Sequence, residues 1–168
     1  MQSHASIRAA DRPAFYHELR REIEALLDPV WFTALANASA SLKHHLTDIN
    51  WVGFYLFDGK ELVLGPFQGL SACTRIALDR GVCGAAARER KTFVVEDVHA
   101  FPGHIACDSA SRSEIVVPIV VKSLEGSRLV GVLDVDSPTL ARFVEDDRRG
   151  LEAIVESLAE GIRWPKHF

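Results

Sequence analysis

No apolar run in this chain approaches the roughly 18–20 residues that a helix needs to cross a bilayer, so a helical membrane anchor is not expected. The opening residues Met1-Gln2-Ser3-His4-Ala5-Ser6 lack the basic and apolar regions of a signal peptide, and the expected compartment is the cytoplasm. Charge of one sign is scarce too: the net charge is -4, and Lys and Arg are scattered, never more than two in a row. No field then favours nucleic acid or an anionic membrane. Cysteine is limited to Cys73, Cys83 and Cys107, with no C-x-x-C unit. An odd count without that spacing argues against a structural disulfide framework in a reducing compartment. Internal repeats, linkers and low-complexity tracts are absent, and 168 residues suit one domain with a full core.

Helical spacing opens the chain. Asp11 and Pro13 mark a helix start, with Phe15, Leu19, Ile23, Leu26 and Leu27 on one face. Asp28-Pro29 restarts the pattern as N-cap and first helical residue, and Leu35, Ala38 and Leu42 carry it to about His45. From Asn50 the period becomes two. Trp51–Phe57 and Glu61–Pro66 flank the hairpin turn Asp58-Gly59, and a third strand is expected near Thr74–Ala77. Gly84–Arg90 reads as a short helix and Thr92–Val95 as a strand. The segment Glu96–Ser113 has no period, and unstructured loops this long are usually functional. Ile115–Val121 and Leu129–Val135 form a second hairpin, and Phe143–Trp164 closes the chain as an amphipathic helix. The expected class is α+β: N-terminal helices over 11–46, a sheet with its loops over 50–137, and a C-terminal helix over 143–164.

The candidate chemistry lies where polar groups interrupt this pattern. All three cysteines fall in turn-rich stretches, whereas a structural cysteine usually hides on a strand or helix face. Strand alternation puts Val130, Val132, Asp134 and Asp136 on one face, two carboxylates among valines. Two readings stay open: a solvated exit turn at Asp136-Ser137-Pro138, or an acidic site joined by Glu114 at the same end of the sheet. Trp51, Gly53, Tyr55 and Phe57 share a face, with Gly53 leaving space between large aromatics. Core packing explains that alone; with an acidic rim it makes a small pocket for a cationic head group such as an amino acid's ammonium. Carboxylates packed this closely cannot all ionise, so one is expected to stay neutral and available as a proton donor.

Asn50-Trp51-Val52-Gly53-Phe54-Tyr55, Gly65-Pro66-Phe67-Gln68-Gly69, Gly81-Val82-Cys83-Gly84, Asp97-Val98-His99, His104-Ile105-Ala106-Cys107-Asp108, Ser113–Ile119 and Leu133–Pro138 together resemble the free methionine-(R)-sulfoxide reductases. These are single-GAF-domain enzymes. The resemblance runs in order from about Asn50 to Pro138 and implies a GAF domain over 1–168, with a central antiparallel sheet of about six strands. It implies Cys107 as catalytic cysteine, Cys73 as resolving cysteine and Cys83 as a third, alternate exchange partner. It places Trp51, Tyr55, Glu114, Asp134 and Asp136 in the substrate pocket. It implies free methionine sulfoxide as substrate, thioredoxin as reductant, a homodimer, and no metal or organic cofactor. The R preference rests on the resemblance alone.

Three rival readings fit the residues less well. A non-catalytic GAF sensor uses the same scaffold, but a sensor usually carries an output domain, for which this length has no room. A zinc site from His99, His104, Cys107 and another cysteine matches no compact zinc module. A cysteine hydrolase built on Cys107 lacks a designated base and leaves Cys73 and Cys83 unexplained. His17, His44 and His45 read as solvated helix residues, and Trp31 and Trp164 as packing anchors. Glu96–Ser113, with Gly103 as its flexible point, is the candidate lid over a closed pocket.

Overall fold

A computed structural model describes residues 7, 11–103, 109–124, 126–166 and 168. The elements run α1 (Arg12–Ala25), α2 (Trp31–His45), β1 (Trp51–Phe57), β2 (Glu61–Gln68), β3 (Arg75–Ala77), α3 (Gly81–Glu89), β4 (Phe93–Val95), β5 (Ser113–Ser123), β6 (Gly126–Ser137) and α4 (Glu145–Gly161). The strands form one six-stranded sheet in the order β3-β2-β1-β6-β5-β4, antiparallel at every pairing. Among the described residues, no helix is long and apolar enough to cross a membrane.

Strand alternation sorts the sheet into two apolar layers. Val52, Phe54, Leu56, Ile115, Val117, Ile119, Leu133 and Val135 face α1, α2 and α4, where Leu19, Ile23, Leu35, Leu42, Leu151, Ile154 and Leu158 complete the main core. Trp51, Tyr55, Leu62, Val116 and Val132 face the other way, toward α3 and the loops. Trp31 and Trp164 pack against the main core as anchors.

Asp147 ties the helical layer together. This buried carboxylate accepts hydrogen bonds from the Tyr16 hydroxyl at 2.8 Å and the Val144 N–H at 2.8 Å, and pairs with Arg12 and Arg142. It thereby joins the start of α4 to α1. Close approach at the same place requires Gly150, where an added Cβ would lie 2.0 Å from the Tyr16 ring.

Several boundaries differ from expectation. Asp28 does not cap α2; its carboxylate accepts from the Val30 N–H at 2.7 Å, and the helix begins after Val30. The Asp28 side chain thus satisfies a turn ahead of the helix instead of the helix itself. The α3 helix begins at Gly81, so Cys83 lies in its first turn on a buried face and not in an open loop. The C-terminal helix is shorter than 143–164, and the β5–β6 hairpin closes more tightly, with Ser123 opposite Gly126. A bulge between the pairs Ile119–Gly131 and Val120–Leu129 turns Val130 into the helical core, away from the face of Val132. His45 is buried and not solvated: its Nε2 lies 2.9 Å from a Glu22 carboxylate oxygen, and Glu22 also accepts from the Ser41 hydroxyl. That pairing offsets the desolvation of the ring.

Asp147→Ala leaves the Tyr16 hydroxyl and the Arg142 guanidinium without their buried acceptor. It is expected to cost about 3 kcal/mol of unfolding free energy, with Tyr16→Phe costing about 1 kcal/mol. Urea denaturation of both variants measures this. A loss for Asp147→Ala no larger than that for Tyr16→Phe would contradict the assignment of Asp147 as the tie between α1 and α4.

Candidate active site

The β1–β6–β5 register assembles the acidic and aromatic residues. Trp51 pairs with Asp136, Gly53 with Asp134 and Tyr55 with Val132. Across the next ladder, Glu114 pairs with Asp136 and Val116 with Asp134. Residues directly opposite each other project to the same face, so Trp51, Tyr55, Glu114, Asp134 and Asp136 share the face covered by α3. All five predicted pocket residues therefore meet at one end of the sheet.

The aromatic half is a stack. Trp51 lies over Phe67, with centroids 5.4 Å apart and planes 16° from parallel, and beside Tyr55 at 5.9 Å and 25°. The expected space at Gly53 is taken: a Cβ there would sit 2.3 Å from Phe67 Cβ and 2.6 Å from the Trp51 ring. Gly53 admits the indole onto the sheet rather than leaving a vacant slot. Phe67 was not singled out as a site residue, although it belongs to one of the matched blocks. Both polar ends of the stack hold the following loop. Trp51 Nε1 donates to Leu70 O at 3.1 Å, and the Tyr55 hydroxyl donates to Cys73 O at 3.0 Å. Cys73 is thus anchored beside the site, and it is disulfide-bonded.

The acidic half is buried. Glu114 and Asp134 are 7% and 6% exposed, and Asp136 is partly buried. Cys83 projects from the first turn of α3 toward them, its free thiol 3.9 Å from Glu114 Oε1. One residue on, α3 packs tightly against the end of β3 because Gly84 lacks a side chain; a Cβ there would be 2.6 Å from Ala77 O. Burial pushes the Asp134 carboxyl up to about 7, while hydrogen bonds with Cys83 and Glu114 pull it partly back. Burial, then the charges of Asp134 and Asp136, hold Glu114 well above the usual carboxylate range. Burial followed by the same acids also raises the Cys83 thiol. The Tyr55 hydroxyl is raised in the same way, first by burial and then by Asp134. One carboxylate oxygen, Asp134 Oδ1, is buried without a hydrogen-bond partner.

Cys107 and His104 lie outside the described residues. The rest of the loop after β4 is fastened at both ends. Val98 N donates to Arg112 O and Arg112 N donates to Ser137 O, while Asn50 Nδ2 donates to the Ser111 hydroxyl at 3.0 Å. Val98–Ala100 forms one turn of 3-10 helix, and Gly103, with φ of +73°, accepts from Gly81 N through its carbonyl. His99, named in the zinc alternative, faces Asp97 at 3.2 Å with its side chain largely exposed. It stands apart from the Cys83–Glu114–Asp134 cluster.

The raised carboxyls make stability depend on pH. Asp134 titrates near 3.8 when unfolded and about 7 when folded, so between those values the native state binds more protons. Stability is therefore full below the lower value and falls as pH rises through the higher one. Wild-type protein is expected to lose unfolding free energy across this window, and Asp134→Asn is expected to flatten the slope. Denaturation midpoints across the window check this; parallel curves for the two proteins would contradict it.

Residues 33–162 match the GAF domain. The chain is 49% identical to the free methionine-R-sulfoxide reductase of Escherichia coli over 150 residues, covering 88% of each chain. It is 44% identical to the free methionine-R-sulfoxide reductase of Saccharomyces cerevisiae over 133 residues, 75% of this chain and 72% of the yeast protein. The X-ray structure of free methionine-R-sulfoxide reductase from Neisseria meningitidis in complex with its substrate is similar with a TM-score of 0.84. It shares 48% identity with this chain and is covered, like it, over 94% of its length. With this sheet order, this acidic and aromatic face, and relatives matched over most of their length, the chain belongs to the free methionine-R-sulfoxide reductases of the GAF-domain class.

Proposed function

We propose that this protein reduces free L-methionine-(R)-sulfoxide to L-methionine in the cytoplasm, through Cys107 and Cys73, with thioredoxin restoring the dithiol. The observation that carries the reading is the pair of buried acids, Glu114 and Asp134, raised by burial and set against the Trp51–Tyr55 stack. A sulfoxide needs both a nucleophile at sulfur and a proton at oxygen. The acid pair supplies the second requirement at neutral pH, where an ordinary carboxyl is ionised.

In this reading the Cys107 thiolate attacks the sulfoxide sulfur while Glu114, held by burial well above the usual carboxylate range, protonates the oxygen. The attack joins Cys107 Sγ to the methionine sulfur and the protonated S–O bond breaks, releasing the oxygen as water. A water then attacks Cys107 Sγ, the S–S bond breaks, methionine leaves with its sulfur reduced, and Cys107 is left as a sulfenic acid. The Cys73 thiol then attacks that sulfur, forming the Cys73–Cys107 disulfide and releasing water. The bonded state of Cys73 and the free state of Cys83 support that pairing. A reductant dithiol then opens the disulfide by exchange, becoming oxidised itself. Cys83, buried and held protonated, is poorly placed to begin exchange and serves as an alternate only once the site has opened. Asp134 and Asp136 hold the substrate ammonium, and the stacked Trp51 and Tyr55 wall the apolar side chain. The pocket admits a free amino acid and excludes a methionine within a peptide.

Reduced protein with dithiothreitol is expected to convert the free R epimer to methionine and leave the S epimer untouched. Cys107→Ser abolishes this, and Glu114→Gln lowers kcat by about a hundredfold or more. Methionine from neither epimer, or equal turnover of peptide-bound sulfoxide, would overturn the proposal.

A further inference from the structure

Cys83, Glu114 and Asp134 each offer one donor atom, and the three lie within 4.8 Å of one another in a fully buried cluster. At the usual lengths to zinc, roughly 2.3 Å for sulfur and 2.1 Å for oxygen, two donors on one tetrahedral ion stand about 3.4–3.6 Å apart. The Cys83 Sγ to Glu114 Oε1 distance is already 3.9 Å, so a few tenths of an ångström of closure brings that pair to bonding range. A second observation points to a ligand: Asp134 Oδ1 is buried and has no hydrogen-bond partner. A buried carboxylate oxygen in that state calls for a proton donor or a cation.

We propose that this cluster binds a thiophilic divalent cation such as Zn²⁺, through Cys83 Sγ and one carboxylate oxygen each from Glu114 and Asp134. Three protein donors of mixed sulfur and oxygen character leave a fourth position for water, the open pattern of a non-structural site. On binding, the cation displaces the protons these donors carry, which pass to solvent. Its consequence for activity rests on the function proposed above. The ion occupies the acids that would protonate the sulfoxide and hold the ammonium, so free Zn²⁺ acts as a reversible inhibitor competitive with methionine sulfoxide. Cys83 then has a role for which its buried, protonated thiol is suited, that of a metal-sensing brake.

The test uses Co²⁺ as a spectroscopic probe on the reduced Cys73→Ser/Cys107→Ser double variant, in which Cys83 is the only thiol left. Titration is expected to raise a near-ultraviolet thiolate-to-cobalt charge-transfer band that saturates at one ion per chain. Adding Cys83→Ser or Cys83→Ala removes the band, and adding Glu114→Gln weakens binding by about tenfold or more while keeping the band. Circular dichroism confirms that each variant is folded. Absence of the band in the double variant, or its persistence without Cys83, overturns the site. A Co²⁺ affinity unmoved by Glu114→Gln also overturns it. Because this readout needs no turnover, it stands apart from the fate of the proposed reaction. Zn²⁺ inhibition of the wild-type enzyme that raises KM without lowering kcat then supports the competitive brake, and an unchanged KM overturns that part.

Discussion

Burying two carboxylates on neighbouring strands is the constraint around which the molecule is arranged. Ionised together, Glu114 and Asp134 would carry a desolvation cost that no hydrophobic layer of this size could offset. Retaining protons avoids that cost. Both acids are raised, and the Cys83 thiol, raised with them, joins a cluster that holds protons rather than charge. The surrounding structure buries the cluster. The α3 helix brings Cys83 to it, the aromatic stack shares its face of the sheet, and the bonds from Trp51 and Tyr55 hold the loop that carries Cys73.

Much of this was legible in the sequence because strand alternation is a strict rule. Once Trp51–Phe57 and Leu129–Val135 were recognised as strands, the shared faces of Trp51 with Tyr55 and of Asp134 with Asp136 followed, and the register agrees. Placing Glu114 at the same end needed only an antiparallel hairpin. Rules of lower specificity failed at identifiable points. Val130 obeys alternation locally but sits at a bulge, for which the neighbouring Gly131 is the one sequence hint. Asp28-Pro29 satisfies the usual pattern for a helix start, yet the Asp28 carboxylate found a turn N–H first. His45 lies on a helix whose exposed side could not be told from its buried side until Glu22 of α1 was seen opposite.

The aromatic residues show why composition could suggest a pocket without shaping it. A glycine between two large rings reads equally as a gap or as a seat. At Gly53 it is a seat: the indole of Trp51 lies flat across the backbone, with Phe67 from β2 beneath it. The same ring requires Gly69, whose absent Cβ would be 2.5 Å from the indole and whose φ of +140° few other residues adopt. Two glycines distant in sequence thus serve one tryptophan, a relation visible only when the strands are paired.

Retaining protons has a chemical cost as well as a use. The environment that keeps Glu114 neutral enough to donate a proton also keeps Cys83 a thiol, and a thiol is a poor nucleophile. Acid and nucleophile therefore cannot come from the same buried cluster at the same moment. In the reaction proposed above the thiolate therefore comes from outside this cluster, which divides the labour between these acids and a second cysteine. Only a species able to displace the protons outright changes that balance. A divalent cation does so by supplying two positive charges in place of the protons, whereas a substrate ammonium supplies one. The ammonium lowers the acids only partly and leaves a proton for the sulfoxide oxygen. In the proposed scheme the cation would remove that proton, so the cluster that would enable the reaction is also the point at which it would be stopped.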